Sequence, residues 1–245
     1  MRRDRRYAPS LVGMQPIPPS DAPLYLLPGM GADARLFRSQ LDTFPNAIVP
    51  PWLAPHPRES LADYARRFAG TLQPNGPCFV GGASFGGFVA LEMAPHLNAL
   101  GCFLIGSARG PSELPNRIRW LRPFGGTIGV LPFRLLAPGA WLARNTVGQF
   151  SHSLTRSFLR HLQETDSSFL RWGSQAALKW TPSPATVDVR VFQIHGERDR
   201  VFPAKRSRAD VILPGAGHLI SLTHASVVNE YLRRHMMAAS CPTSS

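Results

Sequence analysis

Short apolar runs alternating with helical patterns predict an α/β chain, a mostly parallel sheet of about six strands flanked by helices. Two further observations sharpen this. A serine between glycines stands where one apolar run gives way to a helical pattern, and the interval over residues 110–185 is much longer than a normal crossover.

In chain order, Leu24-Tyr25-Leu26-Leu27 reads as strand 24–27 and Ala47-Ile48-Val49 as strand 47–49. Pro50-Pro51-Trp52-Leu53-Ala54-Pro55-His56-Pro57 is a loop, because its prolines remove donors and fix the backbone. A helix is expected over 61–72. Cys78-Phe79-Val80 opens strand 78–81, and Phe88-Val89-Ala90-Leu91-Glu92-Met93-Ala94 follows so closely that a helix is expected over 84–96. Strands 102–105, 189–195 and 210–213 come next. The last helix, 225–235, carries Val227, Val228, Tyr231 and Leu232 on one face, the spacing of a helix laid against a sheet.

These elements divide the chain into a mobile basic tail (1–20), a core (21–109 and 186–245) and an inserted helical cap (110–185) after the fourth strand. In the insertion, Phe150, Leu154, Phe158 and Leu162 recur at near-helical spacing, and Trp120, Phe124, Phe133, Trp141, Phe169 and Trp172 add aromatic bulk. One reading is a small helical core of its own. At the carboxyl edge of a sheet, however, the segment would roof a site and exclude water, with Trp141 and Phe158 as candidate pocket residues and 123–138 as its flexible piece.

Gly82-Ala83-Ser84-Phe85-Gly86 has the G-x-S-x-G pattern in which a serine is lifted out of a sharp strand-to-helix turn. Glycines flank it because a Cβ on either side would collide with neighbouring backbone. The hydroxyl of Ser84 then projects at the carboxyl end of the sheet, where the helix start offers free N–H groups to a developing negative charge. A serine is a weak nucleophile until an imidazole takes its proton, and the imidazole needs a carboxylate to fix its tautomer. Both follow in the order this motif requires. Asp199 sits in the strand-end loop His195-Gly196-Glu197-Arg198-Asp199, and His218 closes the turn Pro214-Gly215-Ala216-Gly217-His218 at what should be the same edge.

Rivals are weaker. Ser107 also follows a strand but lacks the second glycine, Asp188 precedes its strand and belongs at the opposite edge, and His224 lacks the glycine turn. His195 is expected to be structural, its imidazole satisfied beneath the Asp199 loop.

With 245 residues and 44% hydrophobic content, the chain can bury a sizeable core as one domain. No apolar stretch is long enough to cross a bilayer. The start, Met1-Arg2-Arg3-Asp4-Arg5-Arg6, is followed by prolines in place of the apolar segment of an export signal. Cys78, Cys102 and Cys241 are too few and irregular for a disulfide framework or a zinc site, so core thiols in a reducing cytoplasm are expected. The formal net charge of +12 is almost wholly arginine, since lysine occurs only as Lys179 and Lys205. These arginines are dispersed and not striped with aromatics, which points to solvated surface and to neither a nucleic-acid nor a membrane partner.

Leu24-Tyr25-Leu26-Leu27-Pro28-Gly29-Met30-Gly31, the serine turn, His195-Gly196-x-x-Asp199 and Gly217-His218 together resemble the α/β-hydrolase superfamily over most of residues 22–109 and 186–235. Many relatives have His-Gly where this chain has Pro28-Gly29, and relatives usually carry two further strands ahead of Leu24 that have no counterpart here. The resemblance implies an α/β-hydrolase fold with Ser84 as nucleophile, His218 as base and Asp199 as acid. It also implies an oxyanion hole formed by the backbone N–H groups of Met30 and Phe85, and no metal or organic cofactor. A carboxylic ester hydrolase acting on a small-molecule ester is the activity expected. The general look is of small capped esterases, including those acting on an ester borne by acyl carrier protein; Arg156 and Arg160, one helical turn apart, read first as solvent-facing arginines on an amphipathic helix and otherwise as the grip on such a carrier. The same scaffold also serves acyltransferases, perhydrolases, hydroxynitrile lyases and ligand receptors.

Overall fold

Leu24 and Leu26 point to one side of the sheet, and Tyr25 and Leu27 to the other, so the first strand already divides the interior in two. The computed structural model describes residues 22–240 apart from 73, 75, 117–119 and 121–165. The tail 1–20, Cys241 and, in the insertion, Phe124, Phe133, Trp141, Phe150, Leu154, Arg156, Phe158, Arg160 and Leu162 lie outside the described residues.

Six strands form one sheet: β1 (Leu24–Leu27), β2 (Ala47–Ile48), β3 (Cys78–Ala83), β4 (Ala99–Ile105), β5 (Val191–Gly196) and β6 (Val211–Leu213). Their spatial order is β2-β1-β3-β4-β5-β6, and every pairing is parallel. The order reverses between β1 and β3, and the crevice outside the carboxyl ends of strands at such a point is where open α/β sheets bind ligands.

Helices cover both faces. On one lie α2 (Leu61–Leu72), α3 (Phe85–Met93) and α4 (Ser167–Lys179), packed with Leu27, Val80, Cys102 and Leu104. On the other, α1 (Arg38–Thr43), the short α5 (Ile220–Thr223) and α6 (Ala225–Ser240) pack with Leu26, Phe79, Phe103 and Ile194. In α2 the buried residues are Leu61, Tyr64, Ala65, Phe68 and Ala69, the i, i+3, i+4, i+7, i+8 stripe of a helix on a sheet. In α6, Val228, Tyr231 and Leu232 are buried, with Val227 at the margin of the same cluster. Each such leucine or phenylalanine stabilises the fold by about 1.5–3 kcal/mol through burial.

Strands 24–27 and helix 61–72 have the bounds the sequence predicts; β3 and β4 run longer, for a common reason. Glycine hid the strand signal. Gly82 stands just past the expected end of β3 and Gly101 just before the expected start of β4; a Cβ on Gly82 would run into the Gly86 backbone, and one on Gly101 would lie 2.6 Å from the Phe192 ring, so both mark close approach and not a strand end. Beyond β4, the described helix α4 begins at an Asp166 cap that accepts from the Ser168 N–H at 2.8 Å. No helix among the described residues is long and apolar enough to cross a membrane.

Candidate active site

Ser84 joins β3 directly to α3 with φ 53° and ψ −123°, a conformation that costs a non-glycine residue about 1–3 kcal/mol. The surrounding glycines make it possible. A Cβ on Gly82 would run into the Gly86 backbone, and one on Gly86 into the carbonyls of Leu27 and Pro28. Strand β1, strand β3 and helix α3 are thus in contact at the turn. Two hydrogen bonds hold it from the β4 side: the Ser84 N–H donates to Ile105 O at 3.2 Å, and the buried Ser107 hydroxyl donates to Ser84 O at 2.6 Å. The first N–H groups of α3, at Phe85 and Gly86, have no preceding helical carbonyl to bind. Gly29 lies against the serine, where a Cβ would be 4.0 Å from Ser84 Oγ, so the Met30 peptide borders the same space.

Strand β5 delivers the carboxylate. Its loop and the turn after β6 are joined by Glu197 N–H to Leu213 O at 2.9 Å and Arg198 N–H to Ala216 O at 2.8 Å. Asp199 is buried, and the N–H groups of Val201 and Phe202 donate to its Oδ1 at 2.7 and 2.9 Å. His218, also buried, places Nδ1 2.7 Å from Asp199 Oδ2, and Phe202 packs edge-on against its ring. Burial alone would push the Asp199 carboxyl up, but the charge and hydrogen bonds of His218, joined by those of His195, outweigh it and hold the acid below the usual carboxylate range. An ionised carboxylate only accepts, so His218 keeps its proton on Nδ1 and presents Nε2 as an acceptor.

The two halves abut at Gly106. Its neighbour Ile105 takes the Ser84 N–H, while a Cβ on Gly106 would lie 3.7 Å from both Asp199 Oδ2 and His218 Nδ1. Of the rivals, Ser107 is spent on the Ser84 carbonyl, Asp188 lies ahead of β5 at the amino edge, and His224 bonds the Thr223 hydroxyl at 2.9 Å. His195 is buried beneath the Asp199 loop. Its Nε2 lies 2.7 Å from Phe202 O and 3.2 Å from Asp199 Oδ2, while its Nδ1 has no hydrogen-bond partner among the described residues.

Helix α4, within the insertion, lies directly above this point. A Cβ on Gly173 would be 3.0 Å from Met30 Cε and 3.5 Å from the Phe85 ring, and Phe169 and Trp172 meet the Phe85 ring edge-on at 6.3 and 6.1 Å. From the proline-rich loop, Trp52 adds a ring 6.0 Å from Phe85 and 5.1 Å from Phe169. That loop is pinned by Tyr64, whose hydroxyl accepts from Leu53 N–H at 3.1 Å and donates to Leu53 O at 3.0 Å. Trp172 Nε1–H donates to Glu59 O at 2.9 Å, tying the loop to α4.

Buried carboxylates secure both ends of the insertion, and sequence reading missed them. At the start, Glu113 accepts from Arg109 N–H, Gln193 Nε2, Arg208 N–H and Arg208 Nε at 2.9–3.1 Å. At the end, Glu92 of α3 accepts from Trp180 Nε1 at 2.8 Å and Ser183 N–H at 2.9 Å, with Trp180 stacked on Phe88 at 4.3 Å. The available signal was weak: a lone acid inside an otherwise apolar helix, as Glu92 is. Among the described residues, no group of three or more His, Cys, Asp or Glu could hold a metal ion.

A model of the alpha/beta hydrolase family matches residues 5–230. No curated protein matches the sequence. Among solved structures, a thermophilic esterase from Thermogutta terrifontis is similar at 19% identity and TM-score 0.63, over 91% of this chain and 92% of its own. A hydrolase from Oleispira antarctica is similar at 14% identity and TM-score 0.67, over 89% and 92%. A bromoperoxidase from Bacillus anthracis is similar at 14% identity and TM-score 0.66, over 89% and 93%.

Proposed function

Because this chain belongs to the alpha/beta hydrolase family, we propose that it cleaves carboxylic esters of small molecules through an acyl-enzyme formed on Ser84. The observation that carries the reading is the 2.7 Å contact between His218 Nδ1 and Asp199 Oδ2 at the rim that also holds the strained Ser84. His218 Nε2 takes the Ser84 hydroxyl proton as Oγ attacks the ester carbonyl, and Asp199 stabilises the imidazolium that forms. The N–H groups of Phe85 and Met30 receive the oxyanion. Collapse of the tetrahedral species expels the alcohol, which takes the proton back from His218. Water then repeats the sequence and releases the acid.

The roof formed by α4, with Phe169 and Trp172 over Phe85, supports a cap role for residues 110–185, since excluding water strengthens every charge interaction beneath it. The buried free thiols of Cys78 and Cys102 suit a reducing, cytoplasmic setting, and burial pushes Cys78 up to about 11. Ser84→Ala is expected to keep the thermal melt of the parent and to abolish both hydrolysis of a short-chain p-nitrophenyl ester and labelling by a fluorophosphonate. Unchanged turnover in that variant removes the mechanism. Product analysis in mixtures of water and alcohol separates hydrolysis from acyl transfer.

A further inference from the structure

We propose that His195 is a positioning residue for Asp199, donating its Nε2 proton to the carboxylate oxygen that also receives His218, and so dividing that oxygen's pull on the base. The inference rests on the triad reading above. Phe202 O, 2.7 Å from His195 Nε2, can only accept, so Nε2 carries a proton whether the ring is neutral or charged. Asp199 Oδ2 lies 3.2 Å from the same nitrogen, near enough to take a share of that proton. All four acceptor positions of the carboxylate are then occupied: Val201 and Phe202 N–H on Oδ1, and His218 and His195 on Oδ2.

Packing alone does not explain an imidazole here. On β5, Val191, Gln193 and His195 share the face that meets the Leu104 and Val80 side of the core, and His195 is fully buried with Nδ1 unpartnered among the described residues. An aliphatic residue would fill the space without an unpaired nitrogen, so the ring's contribution lies at its bonded end. The charged groups facing His195 are Asp199 and, more distantly, Glu113; those facing Asp199 are His195 and His218. Without His195, Oδ2 spends its whole charge on His218. The base then holds its proton more tightly and returns it to the leaving alcohol more slowly.

Nitrogen NMR of the wild-type protein tests the donor directly. His195 is expected to show a protonated Nε2 on both sides of neutrality, and a neutral ring protonated only at Nδ1 would overturn the proposal. In kinetics on a p-nitrophenyl ester, His195→Phe is expected to lower kcat with KM held. It should also move the acid limb of kcat/KM up by roughly half a pH unit, about threefold in proton affinity. His195→Gln, whose amide keeps a donor but never titrates, restores the limb to the wild-type position. A limb that stays put in the folded His195→Phe variant, or moves equally in His195→Gln, sinks the idea. Wild-type protein without ester turnover would overturn the triad reading instead, and carbon NMR of the Asp199 carboxyl then decides the contact: it is expected to titrate higher in His195→Phe, and an unmoved carboxyl overturns the proposal.

Discussion

The turn at Ser84 and the paired loops of Asp199 and His218 meet at one edge of the sheet but are held by opposite means. The serine turn is shaped by missing atoms: glycines at 82, 86 and 87 let β1, β3, α3 and Ser107 close on one another until no Cβ would fit. The acid–base half is shaped by donors converging on one buried carboxylate. Steric closure is all or none, because backbone cannot yield, whereas a hydrogen-bonded carboxylate loses its function by degrees. The Ser84 turn is therefore the brittle half of the site, and the Asp199–His218 pair is the tunable half.

Gly86→Ala should have the largest effect, since its methyl group would enter the carbonyls of Leu27 and Pro28. Destabilisation of more than about 4 kcal/mol is expected, read as loss of a cooperative melt. Gly70→Ala, on α2 with nothing within 4 Å, is the matched control and should stabilise by up to about 1 kcal/mol. A folded Gly86→Ala protein would break the comparison.

Asp199→Asn should fold and lose about 10⁴-fold in kcat, because the His218 tautomer is no longer held. It should also change acid stability. A carboxyl held below its ordinary 3.8 stabilises the fold fully above that value and loses its contribution as the pH falls through the lower folded value. The wild-type melt should therefore fall more steeply than the variant's from about pH 5 to about pH 2.

The smallest effect should come from Ser107→Ala, which removes a single bond to the Ser84 carbonyl while Gly87 N–H still donates to it at 3.0 Å. A cost of about 1 kcal/mol and a severalfold fall in kcat with KM unchanged are expected from melts and kinetics. A fall as deep as that of Asp199→Asn would mean that hydrogen bonds, not glycines, set the serine's position.

Local signals made much of this legible. Leu24-Tyr25-Leu26-Leu27 and the stripe of α2 announce themselves because burial on a sheet repeats at short range. The serine turn is readable for the same reason, its glycines lying within a few residues of one another. What stayed hidden depends on partners far along the chain. Gln193 is polar where a strand interior should be apolar, and its partners Arg109, Ser107 and Glu113 stand 80 or more residues away in numbering. Trp52, in a stretch legible only as a loop, meets Phe85 and Phe169 from 33 and 117 residues away in numbering, as the difference between their positions shows. The helix at Ser167–Lys179 had a local cue in Asp166 and Ser168, but the length of the surrounding insertion obscured its place.

Glu113 and Glu92 make the insertion a graft with two sutures, each sewn into the parent sheet and helix instead of into the inserted tissue. Whatever sequence runs between them can be exchanged without untying either knot. On the proposed reading, selection or an engineer could thereby refit what lies over Ser84 and leave the sheet edge below it as inherited.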